Sequence, residues 1–181
     1  MPIIAKGSTY TPVPQGQYTA VCVDVVDLGM VTSEKYGKTQ HKIAIRWMLD
    51  GENEDGTPIR RDDGKLPIIS RRFTLSLDDR AALRSVLQAW RGKAFTPEEI
   101  KGFDVEKLIG VGALIQVVHT DNNGKTYDNV DTVAKLPKGM APPEIGDYVR
   151  QKDRKDEAAS KNGHAEERET EFGGEDADIP F

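Results

Sequence analysis

Leu66-Pro67-Ile68-Ile69-Ser70-Arg71-Arg72-Phe73-Thr74-Leu75-Ser76-Leu77 runs directly into Asp78-Asp79-Arg80-Ala81-Ala82-Leu83-Arg84-Ser85-Val86-Leu87-Gln88-Ala89-Trp90-Arg91-Gly92, and the hydrophobic period changes at the junction. In the first part Ile69, Phe73 and Leu75 fall on one side, with Ser70, Arg72 and Thr74 on the other, which predicts a strand. From Leu83 the apolar residues return at Val86, Leu87 and Trp90, the spacing of a helix with one buried stripe. Asp78 and Asp79 suit the positive end of that helix, and Gly92 stands where a left-handed residue would close it.

Upstream of this junction, Gln17 to Val26 is rich in valine and predicts a first strand. Gly29 to Gln40 reads as a polar connection. His41 to Leu49 then alternates, with Ile43, Ile45, Trp47 and Leu49 on one face and Lys42, Ala44, Arg46 and Met48 on the other. Asp50 to Lys65, with two Asp-Gly pairs, predicts a long exposed hairpin loop. Downstream, Thr96-Pro97-Glu98-Glu99 is a capping box with proline at the first helical position. Ala113 to His119 and Lys125 to Ala134 predict two further strands, joined at the tight turn Asn123-Gly124. Trp47, Phe73 and Trp90 share parity or helical phase with aliphatic residues and are expected in the core.

Three strands, one long helix and a two-stranded hairpin follow the element order of the oligonucleotide-binding (OB) fold. The expectation is therefore a mainly β domain with one principal helix (α+β), a five-stranded Greek-key OB barrel over residues 16–140. Residues 1–15 are expected to form an irregular arm, and 141–181 a disordered acidic tail. Charge divides along the same line. Residues 1–140 carry 19 Lys and Arg against 18 Asp and Glu, whereas 141–181 carry 6 against 12. A near-neutral body can present a basic face that the whole-chain charge of −5 conceals.

In an OB barrel, the loops between strands one and two and between strands four and five line the ligand cleft. The first loop holds Lys35, Tyr36 and Lys38, with Lys42 on the strand that follows; the second holds Lys125 and Tyr127. Lysines meet phosphates, and an aromatic face stacks on an unpaired base. Arg46 and Arg72, outward on neighbouring strands, are expected to form the floor of the groove.

Catalytic patterns fail on spacing. Gly37-Lys38-Thr39 and Gly124-Lys125-Thr126 resemble the end of a phosphate-binding loop, but the glycine required five residues earlier is Thr32 or His119. Cys22, His41, His119 and His164 have no zinc-ligand spacing. Asp62-Asp63, Asp78-Asp79 and Glu98-Glu99 suit loops and helix starts rather than a two-metal nuclease. The expectation is a non-enzymatic protein without metal or cofactor. One cysteine excludes an internal disulfide, and the absence of a signal-like or membrane-length apolar run predicts a soluble cytoplasmic protein.

Two stretches are familiar. Phe73-Thr74-Leu75-Ser76-Leu77, Leu83-Arg84, Ala89 to Thr96 with Glu98-Glu99, Gly102-Phe103-Asp104, Leu108-Ile109-Gly110, Val117-Val118-His119, Gly124 to Tyr127 and Leu136 to Gly139 resemble a family of small replication proteins from tailed phages and prophages. The closing run Asp176, Asp178, Ile179, Pro180 and Phe181 resembles the acidic tip of bacterial single-stranded DNA-binding proteins, which recruits replication and repair enzymes. The resemblances imply a phage single-stranded DNA-binding protein in a bacterial host. It would coat exposed strands in replication or recombination and recruit partners through Asp176, Asp178, Ile179, Pro180 and Phe181. The longer body and the lack of a long Gly/Gln/Pro-rich linker mean that the bacterial tetramer is not implied, and homo-oligomerisation stays open. The alternatives are a protein-binding adaptor with weak DNA affinity and a small DNA-processing enzyme.

Overall fold

A computed structural model describes residues 11–154. Five antiparallel strands form one sheet: β1 (Gly16–Thr32), β2 (Thr39–Asp50), β3 (Ile68–Thr74), β4 (Gly112–Asn122) and β5 (Lys125–Lys135), in the order β3-β2-β1-β4-β5. Between β3 and β4 lie the helices α1 (Ala82–Arg91) and α2 (Pro97–Lys101) and a 3₁₀ turn at Val105–Leu108. The mainly β architecture with few helices is as the periodicity predicts.

β1 is longer than its valine-rich segment, because the chain absorbs irregularities instead of ending. Register shifts occur between Cys22 and Asp24 and between Asp27 and Gly29, and pairing with β2 continues to Thr32↔Thr39. Bulges of this kind add local twist while keeping the ladder going. The polar connection expected from Gly29 is thereby reduced to the turn at 33–38.

The helix signals act where they stand. Gly92 closes α1 at φ 72° and donates its N–H to the Gln88 carbonyl. The Thr96 and Glu99 side chains form the reciprocal capping box, with Pro97 opening α2. The acidic pair Asp78-Asp79 lies ahead of the helix, whose first residue is Ala82 and whose N-cap, Ala81, makes no side-chain bond. Asn123 and Gly124, at φ 52° and 77°, make the tight β4–β5 turn.

One side of the sheet carries the main core. Tyr18, Ala20 and Cys22 of β1, Ile43, Ile45, Trp47 and Leu49 of β2, Ile69 and Phe73 of β3, and Ala113, Ile115 and Val117 of β4 pack there under Leu83, Leu87 and Trp90 of α1. Trp47 and Trp90 meet with ring centroids 5.8 Å apart. Burial pushes the Cys22 thiol up to about 12, as befits an unreactive core residue. The arm is tied down over its described part: the Val13 N–H donates to Asp128, the Val13 carbonyl lies 2.7 Å from His119 Nε2, and the Tyr18 hydroxyl donates to the Pro14 carbonyl.

Two expectations need correcting. The closed barrel is not formed: among the described residues no ladder joins β3 to β5. Arg71 shares the inward parity of Ile69 and Phe73, and its guanidinium donates at 3.3 Å to the Val130 and Asp131 carbonyls of β5. A side chain thus occupies the seam where backbone pairing would close a barrel. The other concerns the tail, since residues 141–154 lie against the sheet. Ile145 and Tyr148 pack on Val21, Val23 and Met48, covering part of the face opposite the main core. A 3₁₀ turn at Gln151–Arg154 ends the described chain. The charge balance marked 141–181 as an acidic tail, but over residues 145–151 Ile145, Tyr148 and the donors of Tyr148, Arg150 and Gln151 hold the chain to the sheet.

Candidate nucleic-acid interface

The β1–β2 hairpin presents the first group of predicted residues. Ser33 N–H donates to the Lys38 carbonyl at 2.9 Å, Gly37 N–H donates to the Ser33 carbonyl at 2.7 Å, and the Thr32 and Thr39 hydroxyls meet at 2.8 Å beneath the turn. Gly37 sits at φ 62°, a conformation costly for a residue with a Cβ. This tight turn holds Lys35, Tyr36 and Lys38 in solvent. Tyr36 is 58% exposed, and Lys35 Nζ lies 5.5 Å from its ring centroid. A large aromatic ring left in water beside two lysines is the arrangement a base and its phosphates would use.

Below the turn the chemistry becomes more ordered. Asp27 Oδ1 lies 2.6 Å from His41 Nε2, and the carboxylate accepts from the Gly29 N–H; these bonds, His41 first, hold its carboxyl below the usual range. Lys42 is half-buried and donates to Thr74 Oγ1 at 2.7 Å, and that hydroxyl donates to Gln40 Oε1 at 3.2 Å. Arg72 stands one register step further along β3, opposite Ala44, and is half-buried. Lys42 and Arg72 therefore occupy neighbouring positions on the outer face of β2 and β3, continuing from the lysine-bearing turn.

Arg46 departs from expectation. It does project from the outer face, but it is 8% exposed, because residues 145–151 lie over it. Its cross-strand partner is Asp24, itself 1% exposed, and it hydrogen-bonds the Tyr148 hydroxyl. It is not part of an open groove floor. The Asp24 carboxylate accepts from the Tyr148 hydroxyl at 3.1 Å, Arg150 Nε at 3.1 Å and the Gln151 N–H at 2.8 Å. Arg150 also grips Glu106 with both terminal nitrogens, at 3.0 and 2.9 Å, which lowers the Glu106 carboxyl and raises the guanidinium.

Lys125 and Tyr127 lie on the separate β4–β5 hairpin, opposite Asn122 and Thr120. Lys125 is exposed and Tyr127 half-buried. The partner-binding set Asp176, Asp178, Ile179, Pro180 and Phe181 lies outside the described residues. Residues that sequence reasoning passed over include Gln40 and Thr74, which fix Lys42, and Met30 and Val31, exposed by 66% and 38% on the same hairpin. The valine and methionine of that segment were a strand signal, outweighed by the polar residues after them.

Among the described residues, no three of His, Cys, Asp or Glu are arranged to hold a metal ion. No helix is long and apolar enough to cross a membrane. No family model matches the chain, and no curated protein matches it.

Proposed function

We propose that this protein binds single-stranded DNA through the outer face of β2 and β3 and the turn at 33–38, on an open variant of the OB architecture. The strand order β3-β2-β1-β4-β5, the helix between β3 and β4, and the Arg71 bridge across the seam support that reading of the fold. The observation that carries the function is Tyr36, exposed at the tip of a tight turn between Lys35 and Lys38, on the hairpin whose second strand carries Lys42 near Arg72 of β3. The resemblance to phage replication proteins points the same way. The role is non-catalytic coating of exposed strands in the bacterial cytoplasm, with partners recruited by the acidic run and Ile179-Pro180-Phe181.

A titration of the full chain with fluorescent oligo-dT at several salt concentrations tests this. Binding should weaken steeply with salt, because each displaced counterion contributes about −0.7 to the log–log slope. Phosphates on Lys35, Lys38, Lys42 and Arg72 would give a slope of about −3. A flat salt response, or equal affinity for duplex, would refute the reading. One observation favours the adaptor alternative: Met30 and Val31 leave apolar surface on the same hairpin. An adaptor would bind oligo-dT only weakly.

The recruiting segment has its own test. Phe181→Ala leaves every charge in place, so oligo-dT affinity should be unchanged, while binding to replication and repair enzymes of the host should be lost with the aromatic anchor. Equal capture of those enzymes by parent and variant would show that the closing run has no recruiting role.

A further inference from the structure

Residues 145–154 cover the half of the outer sheet face that lies beyond Arg72, away from the lysine-bearing turn. Ile145 and Tyr148 sit on Val21, Val23 and Met48, alongside Leu66 and Ile68, and Asp147 pairs with Lys65 at 2.9 Å. Along β2 the outer positions run Lys42, Ala44, Arg46, Met48, and along β3 Thr74, Arg72, Ser70, Ile68. Along β2, Arg46 and Met48 are buried on the side where Tyr148 and Ile145 pack, whereas Lys42 and its β3 neighbours Thr74 and Arg72 are half-buried.

The roof is held by one buried carboxylate, two exposed ion pairs and a small apolar cluster. Asp24 takes three donors from the segment, and Arg46, opposite it in the β1–β2 register, hydrogen-bonds Tyr148, so lifting the segment releases two opposite charges that face each other across the strands. A buried charge that loses one partner is costly unless an opposite charge compensates it, and Arg46 stands opposite Asp24 in the register. Glu106 and the Asp147–Lys65 pair are already in water, with side chains 52%, 80% and 57% exposed, so releasing them leaves no buried charge behind. What remains is a small apolar cluster built on two side chains, Ile145 and Tyr148.

From this geometry we propose that residues 145–154 are a displaceable strap, closed over half of the outer face by the Asp24 cluster, which opens so that a long single strand can extend from Lys42 and Arg72 onto the strip beneath. Closed, Asp24 serves Tyr148, Arg150 and Gln151; open, it pairs with Arg46. The two arrangements make a bistable element of the kind that ligands bias. Opening uncovers Val21, Val23, Met48, Leu66 and Ile68 as an apolar bed for bases and frees Lys65 for a phosphate. The strap thus sets how many nucleotides one chain covers. This proposal rests on the single-stranded DNA reading above.

Hydrogen exchange on the full chain, free and saturated with long oligo-dT, tests the strap directly. The Gln151 N–H that donates to Asp24 should exchange about tenfold faster or more when the long strand is bound. The charge-neutral double variant Ile145→Ser with Tyr148→Ser removes both apolar anchors and should occlude more nucleotides of poly-dT per chain than the parent. Binding by both proteins with equal occluded length, and with Gln151 as protected as in the free chain, overturns the strap and leaves the DNA reading intact. Binding by the variant but not the parent supports a strap that gates the whole site. Binding by neither overturns both readings. Should the variant fail to fold, the exchange measurement on the parent decides alone.

Discussion

Trp47→Ala is expected to lower stability by about 3–5 kcal/mol, a large part of the roughly 5–15 kcal/mol that holds a domain together. Trp47 is fully buried at the centre of β2 and packs on Trp90, so truncation opens a cavity between the sheet and α1. The phenylalanine variants should separate the two tryptophans. Among the described residues Trp47 Nε1 is buried without a hydrogen-bond partner, so Trp47→Phe removes an unsatisfied donor, whose burial costs about 1–3 kcal/mol, and this offsets lost ring volume. Trp90 Nε1 donates to the Gly112 carbonyl at 2.8 Å, and Trp90→Phe leaves that carbonyl without this donor. The expected order of urea midpoints is parent, Trp47→Phe, Trp90→Phe, Trp47→Ala, from highest to lowest, with the m-value unchanged. Equal losses for the two phenylalanine variants would contradict this account of the core.

Tyr36→Ala is expected to weaken oligo-dT binding by about 1–3 kcal/mol, between about 5-fold and 150-fold, with no change in the unfolding midpoint. The ring is 58% exposed in a turn, so nothing in the core depends on it. Its loss should leave the salt slope unaltered, since stacking displaces no counterion. Lys38→Ala should do the reverse, moving the slope by about 0.7 while taking away less affinity. Tyr127→Ala serves as the comparison. Tyr127 is half-buried on β5, so some of its effect should appear as lost stability. If Tyr36→Ala binds like the parent, the exposed ring at the hairpin tip has another purpose.

Much of the architecture was legible in local signals because those signals act locally. Alternation along His41–Leu49 places Ile43, Ile45, Trp47 and Leu49 in the core, since a pleated strand has only two faces. Gly92, the Thr96–Glu99 box and Asn123-Gly124 work within a few residues of themselves, and each does what its chemistry predicts. The lysine-bearing turn with Tyr36 is legible for the same reason, as a short polar loop between two apolar strands cannot bury its side chains.

The sequence by itself determined the cores of the strands, the helix stripe, the Gly92 C-cap, the Thr96–Glu99 box and the exposure of Lys35, Tyr36 and Lys38. Only the tertiary structure decided which parts of the outer face stay open. Parity placed Arg46 and Arg72 alike on that face, and nothing within either strand distinguishes them. The burial of Arg46 is made by Arg150, which reaches Asp24 across 126 residues of sequence, and by Tyr148, which hydrogen-bonds Arg46. The seam between β3 and β5 is likewise decided at a distance, by Arg71 meeting carbonyls 59 and 60 residues further on. Period and propensity act over one or two turns of chain, whereas the roof over a sheet face and the closure of its edges depend on which remote groups meet there, and that meeting leaves no periodic trace in either segment.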